Sequence, residues 1–134
     1  MTQPHVSVFI KTDSHYRVSR DKVRTAIFDV LIQKRVKGKV DVSIAIVGNR
    51  QMKKLNEQYR NISTTTDVLS FSLSEQKVGK TFIAPPDDTL HLGDIVVCYP
   101  VAVEDASEQN KMVDDKINEL VEHGMLHLLG YHHD

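Results

Sequence analysis

A single cysteine, Cys98, stands among the 134 residues, so the chain cannot close an internal disulfide, and a reducing, cytoplasmic setting is the expectation. Nowhere do 18 apolar residues run together, which removes a transmembrane helix and, with it, the membrane as a partner. Met1 to Thr12 lack the basic start, long apolar centre and small-residue cleavage site of a secretory signal, and read instead as a strand. Internal repeats and low-complexity segments are absent. The net charge is only −1, but residues 1–60 carry 13 Lys and Arg against 5 Asp and Glu, while residues 61–134 carry 4 against 13. A basic first half suits a phosphate-binding face. The competing reading is that the fold interleaves the halves and they neutralise each other.

What is present is an ordinary globular composition, 40% apolar and 26% charged, on a chain long enough for one domain with a real core. Val6 to Ile10 alternate and are rich in β-branched residues, so they predict a first strand. Ser19 is a good N-cap for an amphipathic helix over about 20–36, with Val23, Ala26, Ile27, Val30 and Leu31 as its buried stripe and Gly38 as its stop. Lys34, Arg35, Lys37 and Lys39 at its exit are a solvated face or a nucleic-acid contact. Val40 to Val47 predict a second strand. Gly48 ends it, and Asn49 is expected to cap a short helix to about Arg60, with Met52, Leu55 and Tyr59 toward the core. The polar run from Asn61 to Asp67 reads as a loop, followed by a strand over Val68 to Leu73.

The stretch from 74 to 91 reads as a protruding loop or short hairpin, with a turn at Lys77, Gly79 and Lys80, a short strand at Thr81 to Ile83 and a break at Pro85-Pro86. Leu92-Gly93-Asp94 then lead into a central strand over Ile95 to Tyr99, where Cys98 is a core residue. Pro100 opens a modest helix, Ala102 to about Asn110. From Met112 a last helix carries Val113, Ile117, Leu120 and Val121 as its stripe. It becomes apolar on nearly all sides by Met125 to Leu129, which predicts a buried, central element.

That helix carries the most informative residues. Four of the seven histidines fall between His123 and His133. His123 and His127 are four apart and share one helical face, about 6 Å apart along the axis. Gly130 offers a helix end, after which the chain can bring His133 back toward the same point. Three imidazoles at offsets 0, +4 and +10 around a glycine at +7 match the spacing of the metzincin motif, H-E-x-x-H-x-x-G-x-x-H. Three such ligands leave a fourth position open, as a catalytic zinc site requires. At +1, where the proteases hold their glutamate base, this chain has Gly124. The protease chemistry is therefore disfavoured, and Gly124 is expected to permit close packing or to leave room for substrate.

With these residues in view, the chain resembles the YbeY family of bacterial rRNA maturation endoribonucleases. His123-Gly124-Met125-Leu126-His127-Leu128-Leu129-Gly130-Tyr131-His132-His133 is similar to that family's H-G-x-L-H-L-x-G-Y-D-H signature. Thr66-Asp67-Val68-Leu69-Ser70-Phe71 matches its T-D-V-L-S-F block, Asn56, Tyr59 and Arg60 its N-x-x-Y-R, and Leu92-Gly93-Asp94-Ile95 its L-G-D-I. The resemblance implies an α+β fold, a mixed sheet of about four strands packed with helices, the central helix carrying the metal-binding histidines. It implies one Zn²⁺ on His123, His127 and His133, with Arg60 and His123 as catalytic residues. Thr66, Asp67, Ser70 and His132 become candidates to line or support the site. The implied activity is single-strand-specific cleavage of RNA in 16S rRNA 3′-end maturation and ribosome quality control, with rRNA and the small ribosomal subunit as partners. Two departures stand out: His132 replaces the family's aspartate, and the chain ends at Asp134, where the family's acidic C-terminal tail is expected, so residues 1–134 read as one metallohydrolase domain lacking that tail.

Zinc held by neutral imidazoles keeps its full charge and lowers the pKa of bound water to about 7. Either that water or the substrate's own 2′-hydroxyl is then the nucleophile, and the guanidinium of Arg60 suits the charge that develops on the phosphoryl oxygens. Asp67 and Asp94, each at an expected strand start, have a structural reading as acceptors for backbone N–H groups. Two other functions stay open: a metal-dependent peptidase or amidase on the same histidines, and a non-catalytic ribosome assembly factor in which zinc holds the C-terminus in place.

Overall fold

The computed structural model describes residues 3–73 and 89–131. The two β-branched runs near the start pair in parallel, β1 (Pro4–Thr12) with β2 (Gly38–Val47), in register from Pro4 opposite Gly38 to Thr12 opposite Ile46. Parallel neighbours require a crossover, and α1 (Arg20–Gln33) supplies it, capped by the Ser19 hydroxyl accepting from Lys22 N at 3.3 Å. The chain continues through α2 (Asn49–Arg60), β3 (Val68–Ser72), β4 (Leu90–Cys98), α3 (Tyr99–Glu108) and α4 (Val113–Leu128). Strand order is β1-β2-β4-β3, with β4 parallel to β2 and antiparallel to β3. The fold is α+β around a mixed four-stranded sheet, and the apolar β4 run is one of its two inner strands.

The two faces of this sheet are covered unequally. On one, Val40, Val42, Ile44 and Ile46 of β2 and Ile95 and Val97 of β4 meet the stripes of α1 (Val23, Ile27, Leu31) and α4 (Ile117, Leu120, Val121, Met125). Full burial of each such side chain is worth about 1.5–3 kcal/mol, and this is the main core. On the other face, among the described residues, only α2 packs, at one end, where Met52 meets Val47, Leu69, Val96 and Cys98.

Several sequence expectations are corrected by the packing. Helix α1 stops at Gln33, and the left-handed residue that ends it is Arg35 (φ 57°), not Gly38. Arg35 N bonds Ile32 O at 3.1 Å and Val36 N bonds Leu31 O at 2.9 Å, the paired bonds of a Schellman end. Gly38 instead opens β2. Asn49 is the first residue of α2 rather than its cap: Gly48, extended at φ −90° and ψ 177°, is the cap and makes no side-chain bond, while the Asn49 side-chain oxygen accepts from Cys98 Sγ at 3.2 Å. Tyr59 does not enter the core. It is 58% exposed, since α2 extends beyond the part of the sheet it covers, and its ring leans on Phe71 at 4.9 Å.

Strand β4 begins at Leu90, well before Ile95, and Asp94 lies within it rather than at its start. Between Asp41–His91 and Ser43–Asp94 the register slips by one residue, a bulge at Leu92-Gly93. Gly93 has φ 136°, and a Cβ there would sit 2.0 Å from Phe71 O, so only glycine fits between β4 and β3. The turn, strand and proline break expected over 77–86 lie outside the described residues.

Helix α4 is central, but it is not buried on all sides. Its hidden stripe is Ile117, Leu120, Val121, Gly124, Met125 and Leu128, while Leu126 and Leu129 are half-buried and His123 and His127 are exposed. The expectation of enclosed histidines fails because the stripe that packs on the sheet and α1 leaves His123 and His127 outside it, on the exposed side of α4.

Candidate active site

The exposed side of α4 faces a cleft of about 560 Å³ lined by Arg60, Thr66, Asp67, Val68, Leu69, Ser70, His123, Gly124 and His127. Three elements meet there: the second half of α4, strand β3 with the loop before it, and the last residue of α2. Close approach of α4 to the sheet depends on Gly124. A Cβ at that position would lie 2.8 Å from Ile95 Cγ2 and 3.0 Å from Ile95 Cγ1 and Cδ1, atoms of a fully buried side chain. The missing side chain lets the helix sit against β4, and this places His127 beside β3, where Ser70 Oγ is 3.2 Å from His127 Nδ1.

Helix α4 ends as its sequence indicates. Gly130 has φ 92°, its N–H bonds His127 O at 3.0 Å, and Tyr131 N bonds Leu126 O at 2.8 Å. These are again the paired bonds of a Schellman end, with glycine at the position that favours it. The chain therefore turns immediately after the histidine pair. His132 and His133 lie outside the described residues. Among the described residues, no three His, Cys, Asp or Glu side chains are grouped closely enough to hold a metal ion.

Arg60 is placed by its backbone. It is the last residue of α2, followed by Asn61 in the left-handed region (φ 57°). Asn61 N bonds Glu57 O at 3.1 Å and Ile62 N bonds Asn56 O at 3.3 Å. The buried Asn56 side chain donates to Thr64 O at 2.9 Å, tying the loop over 61–67 to the helix. Among the described residues no carboxylate pairs with Arg60; Glu57, its nearest acidic neighbour in sequence, makes no ion pair with it. A cation thus lines the same cleft as the two histidines.

Thr66 and Asp67 line the cleft, and their side chains also build it. Asp67 Oδ1 accepts from Val68 N at 2.7 Å and from the Thr66 hydroxyl at 3.5 Å, while Asp67 O accepts from Cys98 N at 2.8 Å. This is the structural role expected of Asp67, and it locks the start of β3 to the end of β4. Glu122, next to His123 in sequence, is not among the residues that line the cleft; burial pushes its carboxyl above the ordinary value, with Asp29 of α1 and Glu119 adding to the effect. Val68 and Leu69 also line the cleft, though the Leu69 side chain packs with Met52 on the other face of the sheet; alternation identifies them only as strand residues, and the sequence did not mark them as site residues.

The side chains present fit a zinc ion. Imidazole nitrogen is a preferred zinc donor, and two imidazoles on adjacent turns line one cleft. Ser70 Oγ lies within hydrogen-bond reach of His127 Nδ1; in the tautomer whose Nδ1–H it accepts, Nε2 is left for a ligand, the arrangement by which an outer partner sets the tautomer of a metal-binding histidine.

An α+β protein with a histidine pair on a central helix, an arginine in the same cleft and a glycine where a metalloprotease has its base is the class that fold and site define. The chain belongs to the YbeY family: the family model described as Endoribonuclease YbeY matches residues 9–134. It is 40% identical over 99 residues to the Endoribonuclease YbeY of Moorella thermoacetica, a match covering 74% of this chain and 64% of that protein. It is 37% identical over 127 residues to the Endoribonuclease YbeY of Bacillus licheniformis, covering 91% of this chain and 79% of that one. The chain therefore spans less than two thirds of the length of the first of these relatives. The solution structure of TM1509 from Thermotoga maritima is also similar, with a TM-score of 0.57 and 29% identity over 96% of this chain and 75% of that one.

Proposed function

We propose that this protein is a zinc-dependent, single-strand-specific endoribonuclease that acts in the cytoplasm on rRNA of the small ribosomal subunit, in 16S 3′-end maturation and ribosome quality control. The observation that carries the reading is the placement of Arg60 in the same cleft as His123 and His127. His123, His127 and His133 would hold the ion. Bound there, zinc supplies Lewis acidity, polarising a phosphoryl oxygen and activating a nucleophile near neutral pH.

The other tasks fall to side chains of the cleft. Arg60 offers two parallel N–H donors to the phosphate oxygens, in a geometry that favours the charge developing during displacement. Ser70 fixes the ring of His127. Asp67 and Thr66 hold the β3 end of the cleft and so set the distance between Arg60 and the histidines.

A peptidase reading is weaker. Its general base would occupy position 124, and that position is pressed against Ile95 with no room for a side chain. The test is cleavage of a single-stranded RNA oligonucleotide carrying a 16S 3′-terminal sequence. Arg60→Ala is expected to keep its zinc and to lower the cleavage rate about 100- to 1,000-fold. Cleavage at the wild-type rate by Arg60→Ala contradicts the assignment, and peptide hydrolysis without RNA cleavage by the wild type favours the peptidase.

A further inference from the structure

On the opposite face of the sheet from the histidines lies a cavity of about 760 Å³, larger than the histidine cleft at about 560 Å³. It is the part of the second face that α2 leaves uncovered. Its floor is a rank of residues that the strand register sets side by side. Phe9 pairs with Ser43, Ser43 with Asp94, and Asp94 with Phe71. Two aromatic rings thus stand at the ends of a row across all four strands, about 14 Å apart at three strand spacings, with small or polar residues between. Tyr59 of α2 leans on Phe71 and lines the same trough. Phe9 is 60% and Tyr59 58% exposed, a poor arrangement for a core and a good one for a stacking platform.

The charge around the trough has one dominant sign. Lys11 and Gln51 line it, and the adjoining hollow, which shares Gln51 and Leu55, adds Arg50 and Lys54. Helix α2 carries Arg50, Lys53, Lys54 and Arg60 against one acid, Glu57. None of these cations is in an ion pair among the described residues. Among the described residues, then, the basic excess of the first half is not neutralised at this face. Among the described residues the one carboxylate that lines it is Asp94, which suits a base amino group and not a phosphate.

From this geometry we infer that the open sheet face is a second binding surface for single-stranded RNA, with Phe9, Phe71 and Tyr59 stacking on bases and Lys11, Arg50 and Lys54 holding phosphates. The inference rests on the nuclease reading only for the identity of the nucleic acid. Neighbouring residues of α2 connect the two places: Tyr59 lines the trough and Arg60 the cleft. A strand lying across the sheet face can pass round the β3 edge to the cleft, so the platform adds affinity for substrates longer than the cleft itself contacts.

The test is fluorescence anisotropy with a labelled 12-nucleotide oligouridylate and a duplex of the same length, on the full chain in excess chelator so that no cleavage occurs. Phe9→Ala is expected to weaken binding of the single strand about 5- to 150-fold, the worth of one stacked base, with Phe9→Trp restoring it. Lys54→Gln is expected to weaken binding and to lower the salt dependence by roughly one phosphate contact. Both substituted side chains are exposed, and thermal melts check that the variants fold. Unchanged affinity in Phe9→Ala and Lys54→Gln overturns the inference, as does equal affinity for the duplex. Cleavage by the wild type, measured in parallel without chelator, judges the nuclease reading separately: a chain that cleaves yet ignores Phe9→Ala loses the platform and keeps the activity.

Discussion

Ser70 Oγ and His127 Nδ1 lie 3.2 Å apart, joining strand β3 to helix α4 across 57 positions of sequence. If Ser70 accepts the Nδ1 proton, it holds His127 in the tautomer that presents Nε2 to the metal. Ser70→Ala is expected to reduce zinc affinity about 10- to 100-fold, the usual effect of losing such a partner, with little change in melting temperature of the metal-free protein. A competition titration against a chromophoric chelator measures this. An unchanged zinc affinity would show that the ring is oriented by packing alone.

Gly124 is expected to resist even the smallest side chain. Alanine would gain about 1 kcal/mol in helix propensity, but its Cβ meets the buried Ile95 at 2.8 Å, and overpacking of that kind costs roughly 1–3 kcal/mol. The net expectation is a loss of up to about 2 kcal/mol, read from urea unfolding, and relief of the clash in the Gly124→Ala, Ile95→Ala double variant relative to the sum of the single losses. Additive losses would place the cost of Gly124→Ala somewhere other than Ile95.

Gly93→Ala is the more severe change. Its Cβ would fall on a backbone oxygen that cannot move without breaking the β3–β4 pairing. Strain at a positive φ and lost ladder bonds together cost about 3 kcal/mol or more. Because β3 carries Ser70, zinc affinity is expected to fall along with stability. A variant that unfolds at the wild-type urea midpoint contradicts the described bulge.

Arg35 offers the reverse case. A non-glycine residue in the left-handed region costs about 1–2 kcal/mol, and the greater freedom of glycine in the unfolded chain offsets part of what its substitution gains. Arg35→Gly is therefore expected to stabilise the protein by about 0.5–1 kcal/mol in equilibrium unfolding. A destabilised variant would mean that the arginine side chain contributes more than its backbone costs.

These positions also show how far the sequence reached. Strands β1 and β2 and helix α1 were legible because burial imposes periods of 2 and 3.6 residues, and Gly130 because a helix end prefers glycine. The end of α1 was not legible, since a nearby glycine, Gly38, offered the same chemistry while packing placed the turn at Arg35. Tyr59 fell on the right helical stripe, but a stripe does not reveal how far the neighbouring sheet extends. Asp94 looked like a strand start because the bulge at Gly93 interrupts the alternation within β4. The histidine spacing pointed to α4, yet the Ser70–His127 contact and the exposure of the pair depend on how β3 and α4 are juxtaposed, which no local pattern encodes.

The most direct measurement is RNA cleavage during a zinc titration of the metal-free protein. The rate of single-stranded RNA cleavage is expected to rise from background and to level off at one zinc per chain, with His127→Ala failing to respond over the same range. Cleavage that persists in the metal-free protein, or that stays at background after one equivalent of zinc has bound, would contradict a zinc-dependent ribonuclease site on α4.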